Sequence, residues 1–319
     1  MMKVDLSPQL GFIDLKNPVI AASGTFGYGL ELSKFCPPES LGAVIPKGVS
    51  LEPWPGNLGP RGAETAGGLV NSIGLENMGI ERFLKDALPP LKARGAVVGV
   101  NVLGRNLHEY LALCERLANS NCDFIELNIS CPNLKHSGGL SFGAEPKVAE
   151  ELIVSSVKAA GNIPVVVKLP PLVSDMAALA KTAQDAGAKA ISLINSVPAL
   201  VIDLPNRKPA LHNVTGGLSG PPIKPLALRQ VYVAASSVTI PVIGMGGIMT
   251  ASDALEFFLA GAAAVQVGTA TLADPRAPLI ILSEIEAYLA KERLSLSEFK
   301  SFKIKNPQGA SMCGPLGIT

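Results

Sequence analysis

A short polar segment in the middle of the chain, Asn128-Ile129-Ser130-Cys131-Pro132-Asn133, combines amides, hydroxyl and thiol. It follows an apolar run over residues 122–127, so it lies where a buried strand opens into a loop. In a barrel enzyme, the loops after the strands carry the catalytic groups. A thiol there can act as a general base or nucleophile, and the flanking amides can donate to and accept from a flat heterocycle. The alternative is a partly buried, inert cysteine that fills a turn.

Short apolar runs recur along the chain, and each is followed by a polar or glycine-rich turn and a helical pattern. The runs cover residues 17–22, 42–47, 97–102, 124–128, 164–169, 190–195, 241–246 and 264–268, with helical stretches such as 176–186 and 251–260 between them. This alternation is typical of parallel strands covered by helices. It predicts a single-domain (β/α)8 TIM barrel formed by residues 1–319. An open doubly wound sheet is the alternative, although residues 23–27 do not supply its G-x-G-x-x-G turn.

Three longer connections follow the second, fourth and sixth predicted strands, over residues 48–77, 130–145 and 196–224. Long loops at the carboxyl ends of barrel strands commonly form lids or binding surfaces. We therefore expect the active site at this end of the barrel.

The composition argues against several classes of protein. With 48% hydrophobic and 17% charged residues, the 319-residue chain can bury a large core. A formal net charge of +1 gives no electrostatic reason to expect nucleic acid or an anionic membrane as a partner. We expect a cytoplasmic protein, since the sequence offers neither a signal peptide nor an apolar run of about 18 residues. The five cysteines form no C-x-x-C pair, and acidic residues are rare at the strand ends, so we expect no metal or cluster in this chain.

Two glycine clusters, Gly244-Met245-Gly246-Gly247-Ile248 and Gly268-Thr269-Ala270, follow the seventh and eighth strands. Barrels commonly bind phosphate at these two loops, where backbone amides can approach the phosphate oxygens. The alternative is that the glycines only permit tight turns.

Two lysines lie at the ends of apolar strands: Lys47 ends the second strand and Lys168 the fifth. Such a cation at the barrel mouth requires an anion. Lys168 could balance negative charge on a reduced cofactor, form a Schiff base with a carbonyl substrate, or make a structural salt bridge. The same three roles are possible for Lys47.

Asparagines also gather at the predicted rim. Asn101, Asn128 and Asn195 end strands, and Asn71 and Asn133 lie in adjoining loops. Because a side-chain amide both donates and accepts hydrogen bonds, the cluster indicates a ligand with several amide and carbonyl groups.

These motifs resemble the class 1 dihydroorotate dehydrogenases, which are FMN-containing barrels of pyrimidine biosynthesis. The resemblance runs in order through residues 21–27, 47–53, 71–75, 128–133, 168–170, 194–196 and 216–221 to the two glycine clusters. It implies flavin-dependent oxidation of (S)-dihydroorotate to orotate. Residues 217–225 resemble the B-type subfamily, which implies a homodimer and a heterotetramer with a partner subunit. That partner carries FAD and a [2Fe–2S] cluster and passes electrons to NAD.

The resemblance also implies roles for individual residues. Cys131 would remove the C5 proton of dihydroorotate while hydride leaves C6, and Lys168 would stabilise negative charge at the flavin N1 and O2 edge. The residues expected at FMN are Ser23, Lys47, Gly48, Asn101, Asn128, Lys168, Ile194, Gly220, Gly246, Gly247, Gly268 and Thr269. Those expected at the substrate are Lys47, Asn71, Ser72, Ile73, Gly74, Leu75, Asn128, Asn133, Asn195 and Ser196. Where the family usually has Glu-Pro-Arg, this chain has Glu52-Pro53-Trp54, so we expect a differently shaped lid.

Three alternatives to this function stay open at the level of sequence. A related flavin enzyme could act on another dihydropyrimidine, such as dihydrouracil. A lyase could use Lys168 as a Schiff base, or a flavin protein could serve only as an electron relay. Bound flavin would argue against the lyase, and Cys131→Ala would separate the enzyme from the relay.

Overall fold

A computed structural model describes residues 4–129 and 146–304, and its largest sheet is parallel and eight-stranded. The strands are β1 (Val19–Ala21), β2 (Ala43–Val44), β3 (Gly99–Val102), β4 (Phe124–Asn128), β5 (Val165–Lys168), β6 (Ala190–Leu193), β7 (Val242–Met245) and β8 (Ala264–Val267). Their hydrogen-bonded order is β2-β1-β8-β7-β6-β5-β4-β3. A parallel bridge between Val44 and Val98 joins the two ends. The sheet therefore closes, which confirms the predicted (β/α)8 barrel and excludes the open doubly wound sheet.

Helices cover the outside of the barrel. They are α1 (Ile80–Arg82), α2 (Leu88–Ala93), α3 (Leu107–Ala118), α4 (Pro146–Ala159), α5 (Met176–Asp185), α6 (Lys224–Ala235), α7 (Ala251–Leu259), α8 (Thr269–Ala273), α9 (Ala277–Glu292) and α10 (Leu296–Ser301). A π-helical turn, Phe83–Ala87, connects α1 to α2, and short 3-10 helices cover Pro38–Ser40 and Pro221–Ile223.

Helix α5 shows why these segments are helical. Its buried residues, Met176, Leu179, Ala180 and Ala183, recur at the spacing that places them on one face. The side chain of Asp175 caps the first turn by accepting a backbone hydrogen bond. The helices predicted over residues 176–186 and 251–260 are both confirmed.

The interior of the barrel changes from apolar to polar along the strands. Alternate residues of a strand share a face, so the inward side chains form layers. The deep layer contains Phe124, Val166, Ala190 and Ala264, packed with Leu10 and Leu15 from the N-terminal segment. Two residues further along the same strands lie Glu126, Lys168, Ser192 and Gln266, which are all buried. The carboxyl end of the barrel is therefore lined by polar groups.

The connections after β2 and β6 contain strands of their own. Gly62–Glu64, Leu69–Asn71, Thr215–Ser219 and Val197–Leu200 form an antiparallel sheet in that order, and Ile202–Asp203 pairs with Lys208–Pro209. The expectation that residues 48–77 and 196–224 are loops is therefore wrong in part. Their pairing is non-local, with Asn71 opposite Gly217, and the periodicity of one segment does not reveal its distant partner.

Within the described residues, no helix combines the length and apolarity needed to cross a bilayer.

Candidate active site

A buried carboxylate organises the polar layer at the carboxyl end of the barrel. Glu126 accepts hydrogen bonds from Asn101 Nδ2 at 2.7 Å, Ser192 Oγ at 2.9 Å and Gln266 Nε2 at 2.7 Å. The Lys168 ammonium lies 3.4 Å from Glu126 Oε1. Glu126 is 0% and Lys168 5% exposed, so the two form an ion pair away from water. Lys168 was expected to need an anion, and the structure shows that this anion is the carboxylate of Glu126.

Glu126, Ser192 and Gln266 are not among the site residues predicted from the sequence. A signal for Glu126 was present, because it is a charged residue among Phe124, Ile125 and Leu127 in β4. Strands of a barrel are buried on both faces, and a buried charge in such a strand needs partners. Gln266 stands in the same way among Ala264, Val265 and Val267.

The predicted residues at the carboxyl ends of the first four strands lie beside this layer. Asn128 Nδ2 donates to Asn101 Oδ1 at 3.4 Å. A Cβ at Gly48 would lie 2.5 Å from the same Asn101 oxygen, so the backbone of residue 48 passes directly over it. Ser23 Oγ donates to the Pro46 carbonyl at 3.0 Å, next to Lys47 and Gly48. The fold thus brings these predicted cofactor residues to one part of the barrel mouth.

The later glycines form a second group, which we call the glycine cradle: Ile194, Gly220, Gly246, Gly247 and Thr269. Gly220, Gly246 and Gly247 all have positive φ angles, which side chains rarely adopt. A Cβ on Gly247 would lie 2.9 Å from the Gly220 carbonyl, one on Gly246 3.3 Å from Ile194 Cγ1, and one on Gly220 3.5 Å from Thr269 Cγ2. Residues remote in sequence therefore meet here.

Three backbone amides of the cradle are available to a ligand, whereas that of Ile194 donates to the Met245 carbonyl at 2.9 Å. Those of Gly246, Gly247 and Thr269 donate no hydrogen bond to any residue within 4–129 or 146–304. The nearby Lys224 ammonium is bound to Asp253 at 2.7 Å and Glu256 at 3.1 Å. A phosphate in the cradle would therefore be held by peptide N–H groups, as in other barrels. Gly268 lies at the edge of this region, where a Cβ would be 3.6 Å from Ala22 Cβ.

Lys47 differs from Lys168 because it lacks an anionic partner within the part of the chain that the structure describes. It is half-buried, and its backbone N–H donates to the Gly27 carbonyl at 2.8 Å. Burial lowers the pKa of Lys47, while Glu76 raises it and Arg61 lowers it by their charges. Arg61 and Glu76 form an ion pair with each other. The Lys47 ammonium can therefore receive an anionic ligand.

The predicted substrate residues lie on the antiparallel sheet and its connections. Asn71 Nδ2 donates to the Gly217 carbonyl at 3.4 Å, and a Cβ on Gly217 would overlap the Ser196 side chain. The Ser196 N–H donates to Asn195 Oδ1 at 2.9 Å. The connections after β2 and β6 therefore meet at Gly217.

The segment from Ser72 to Leu75 is fixed by Asn57, which is not among the predicted site residues. Asn57 Nδ2 donates to the Ser72 carbonyl at 3.0 Å and to Ser72 Oγ at 2.9 Å. Gly74 and Leu75 both have positive φ angles, so the chain turns sharply after Ile73. Asn57 carries no motif of its own, and only the folded structure connects it to this segment.

Comparison with known proteins agrees with this geometry. The sequence matches the family model for dihydroorotate dehydrogenase over residues 6–289. The chain belongs to the dihydroorotate dehydrogenase family. It is 46% identical to the "Dihydroorotate dehydrogenase B (NAD(+)), catalytic subunit" of Alkaliphilus metalliredigens over 95% of this chain and 99% of that protein. Proteins of the same name from Geobacter sulfurreducens and Alkaliphilus oremlandii are 52% and 50% identical, each over 91% of this chain and 95% of the relative.

For this member of the dihydroorotate dehydrogenase family, the predicted departure at Trp54 has a structural counterpart. The guanidinium carbon of Arg105 lies 4.9 Å from the centroid of the Trp54 ring. Trp54 also exchanges two backbone hydrogen bonds of 3.0 Å with Asn77. The segment that differs from the usual family motif is therefore fixed by its own contacts.

The thiol at the centre of the predicted chemistry lies outside the described residues. Cys131 and Asn133 belong to residues 130–145, whereas Asn128 and Ile129 just before them are described and buried. Tyr110 Oη donates to the Asn128 carbonyl at 2.6 Å and so fixes the end of β4 from which that segment leaves.

Proposed function

We propose that this chain is the FMN-binding catalytic subunit of a B-type dihydroorotate dehydrogenase, which oxidises (S)-dihydroorotate to orotate in pyrimidine biosynthesis. One observation carries the proposal: the buried Lys168–Glu126 ion pair stands at the carboxyl end of the barrel, in a chain of this family. In our proposal, the glycine cradle binds the phosphate of the same cofactor.

The residues present fit FMN. The cradle offers backbone amides where side chains would obstruct a phosphate, and the close approach of Gly48 to Asn101 leaves no room for a side chain at position 48. Lys168, Asn101 and Asn128 supply a cation and amides for the polar edge of a flavin ring. When bound, FMN would supply the hydride acceptor for C6 of the substrate. Lys168 would stabilise the negative charge that develops at the flavin N1 and O2 edge.

On the substrate side, Lys47 would bind the carboxylate of dihydroorotate. Its ammonium is partly desolvated, and a bound carboxylate would compensate for that cost. Asn71, Asn128, Asn133, Asn195 and Ser196 would hold the ring amides and carbonyls, with residues 72–75 closing over them. These contacts would orient C5 toward the Cys131 thiol, which would take the proton. Since a free thiol has a pKa of about 8.5, the rate should rise with pH unless the loop stabilises the thiolate.

The names of the relatives support a partner subunit, because they describe an NAD-linked catalytic subunit. We propose that this chain forms a homodimer and a heterotetramer with an electron-transfer subunit that carries FAD and a [2Fe–2S] cluster. We further propose that residues 1–319 fold as a single domain and that the enzyme is cytoplasmic.

The decisive experiment is an anaerobic visible spectrum of the purified chain, followed by separate additions of dihydroorotate and dihydrouracil. Bleaching of a flavin band by dihydroorotate alone is the expected result. Bleaching by dihydrouracil instead would change the substrate, and no flavin band after reconstitution with FMN would contradict the proposal. Cys131→Ala should slow the bleaching by about 10² or more, whereas an electron relay would be unaffected.

A further inference from the structure

Glu126 has no assigned role in the proposed reaction. It is fully buried, and both carboxylate oxygens are saturated: Oε1 faces Asn101 and Lys168, and Oε2 faces Ser192 and Gln266. A carboxylate offers about four acceptor positions, so every one is occupied. Such complete satisfaction fixes the position of the carboxylate and, through it, that of the Lys168 ammonium.

The charges in the layer cancel. Among the described residues, Glu126 and Lys168 are the two charged side chains that are buried, and their neighbours in the layer are neutral. A buried cation with no compensating anion would attract added negative charge strongly, because the surrounding medium screens it weakly. The carboxylate of Glu126 reduces that attraction at the point where Lys168 meets the barrel mouth.

We propose that Glu126 is a positioning and charge-balancing residue that fixes the Lys168 ammonium and sets the reduction potential of the bound flavin. The inference rests on the proposed function, since it requires FMN beside Lys168. By offsetting the lysine charge, Glu126 keeps the reduced flavin from being bound too tightly, so that its electrons remain available to an acceptor.

The variant Glu126→Gln removes the negative charge and keeps the hydrogen bonds of the side chain. In Glu126→Gln, the amide oxygen can still accept from Asn101 and Lys168, and the amide nitrogen then faces Ser192 and Gln266. Ser192 Oγ can accept as well as donate. Within residues 4–129 and 146–304, Gln266 Oε1 is buried without a partner, so rotating that amide by half a turn supplies the second acceptor. The number of unpartnered amide atoms does not change, and the shape of the layer is kept.

Loss of the negative charge leaves Lys168 uncompensated and favours reduced over oxidised FMN. We expect the ratio of the two dissociation constants, oxidised over reduced, to rise by about tenfold or more in E126Q. For a two-electron couple, tenfold corresponds to about 30 mV in potential. The measurement is an anaerobic redox titration of the FMN-loaded chain against an indicator dye at pH 7.

Ser192→Ala is the matched control, because it removes one hydrogen bond from the same carboxylate and no charge. In S192A, the ratio of the dissociation constants of oxidised and reduced FMN should change by less than about twofold. An E126Q potential equal to or below that of the unmodified chain would overturn the proposal. A shift in S192A as large as that in E126Q would also overturn it, because the effect would then arise from packing.

A second comparison applies if E126Q does not fold with its unpaired buried lysine. The double variant E126Q/K168Q has no buried charge in the layer and is easier to accommodate. Because the two removed charges offset each other, its ratio should stay within about twofold of that of the unmodified chain, and a ratio lowered by about tenfold, as expected if Lys168 acted without an offset, would overturn the proposal. If the unmodified chain binds no FMN, the proposed function and this inference both fall. If it is bleached by dihydroorotate while the variants keep its potential, only this inference falls.

Discussion

Replacing Gly247 by alanine should cost more stability than the same change at Gly95, although both glycines have the same backbone angle. Each has a φ of +78°. An alanine in the left-handed region costs about 1–2 kcal/mol, and both variants carry that cost. A Cβ on Gly95 would have no heavy atom of the described residues within 4 Å, so Gly95→Ala should lose only this amount.

At Gly247, the new methyl group also meets atoms that cannot move freely. It would lie 2.8 Å from Lys224 Cβ and 2.9 Å from both Lys224 N and the Gly220 carbonyl oxygen. Lys224 is held by Asp253 and Glu256, so its stem cannot swing aside without breaking two ion pairs. Overpacking of this kind adds about 1–3 kcal/mol, which is the expected difference between the two variants.

Urea denaturation measures this difference as a change in midpoint at constant slope. FMN affinity provides a second readout: we expect Gly247→Ala to bind FMN at least about tenfold more weakly, a loss of about 1.4 kcal/mol, and Gly95→Ala to bind it unchanged. Gly95 follows α2 and precedes β3, so it lies at the opposite end of the barrel. Equal losses of stability in the two variants would refute the steric clash at Gly247, and an unchanged FMN affinity in Gly247→Ala would refute phosphate binding by the cradle.

Three further predictions concern charge, thiols and a helix cap. Lys47→Met should raise KM for dihydroorotate by about 10–100-fold, the value of a charge-assisted hydrogen bond. Because burial lowers the pKa of Lys47, stability should rise with pH between that lowered value and the unfolded one, and denaturation of Lys47→Met across this range should show a smaller rise. Burial raises the pKa of Cys36 and Cys114 to about 12, so both thiols should resist a thiol reagent at pH 8 until the chain unfolds, and rapid labelling of the native protein would contradict this. Thr250→Ala removes the capping box that Thr250 forms with Asp253 and should cost about 1 kcal/mol, measurable as a fall in Tm of about 2–4 °C.

The elements of the barrel, and the end at which its site lies, are predictable from local patterns of residues. The apolar runs identified the eight strands, and helical spacing identified α5 and α7, because these patterns arise from contacts of each segment with one core. The carboxyl ends of parallel strands meet at one end of a barrel. For that reason, Lys168, Asn101 and Asn128 could be predicted to gather there from their positions in the chain alone.

Which of these residues are in contact depends on the complete tertiary structure. Glu126 meets Gln266 across 140 positions of sequence, and Asn71 meets Gly217 across 146. Such contacts depend on the register of every strand and on closure of the sheet between β2 and β3, which no single segment encodes. The anion beside Lys168 was therefore invisible in the local pattern. A buried charge finds its partner through the whole fold, whereas a strand or helix is recognisable from its own residues.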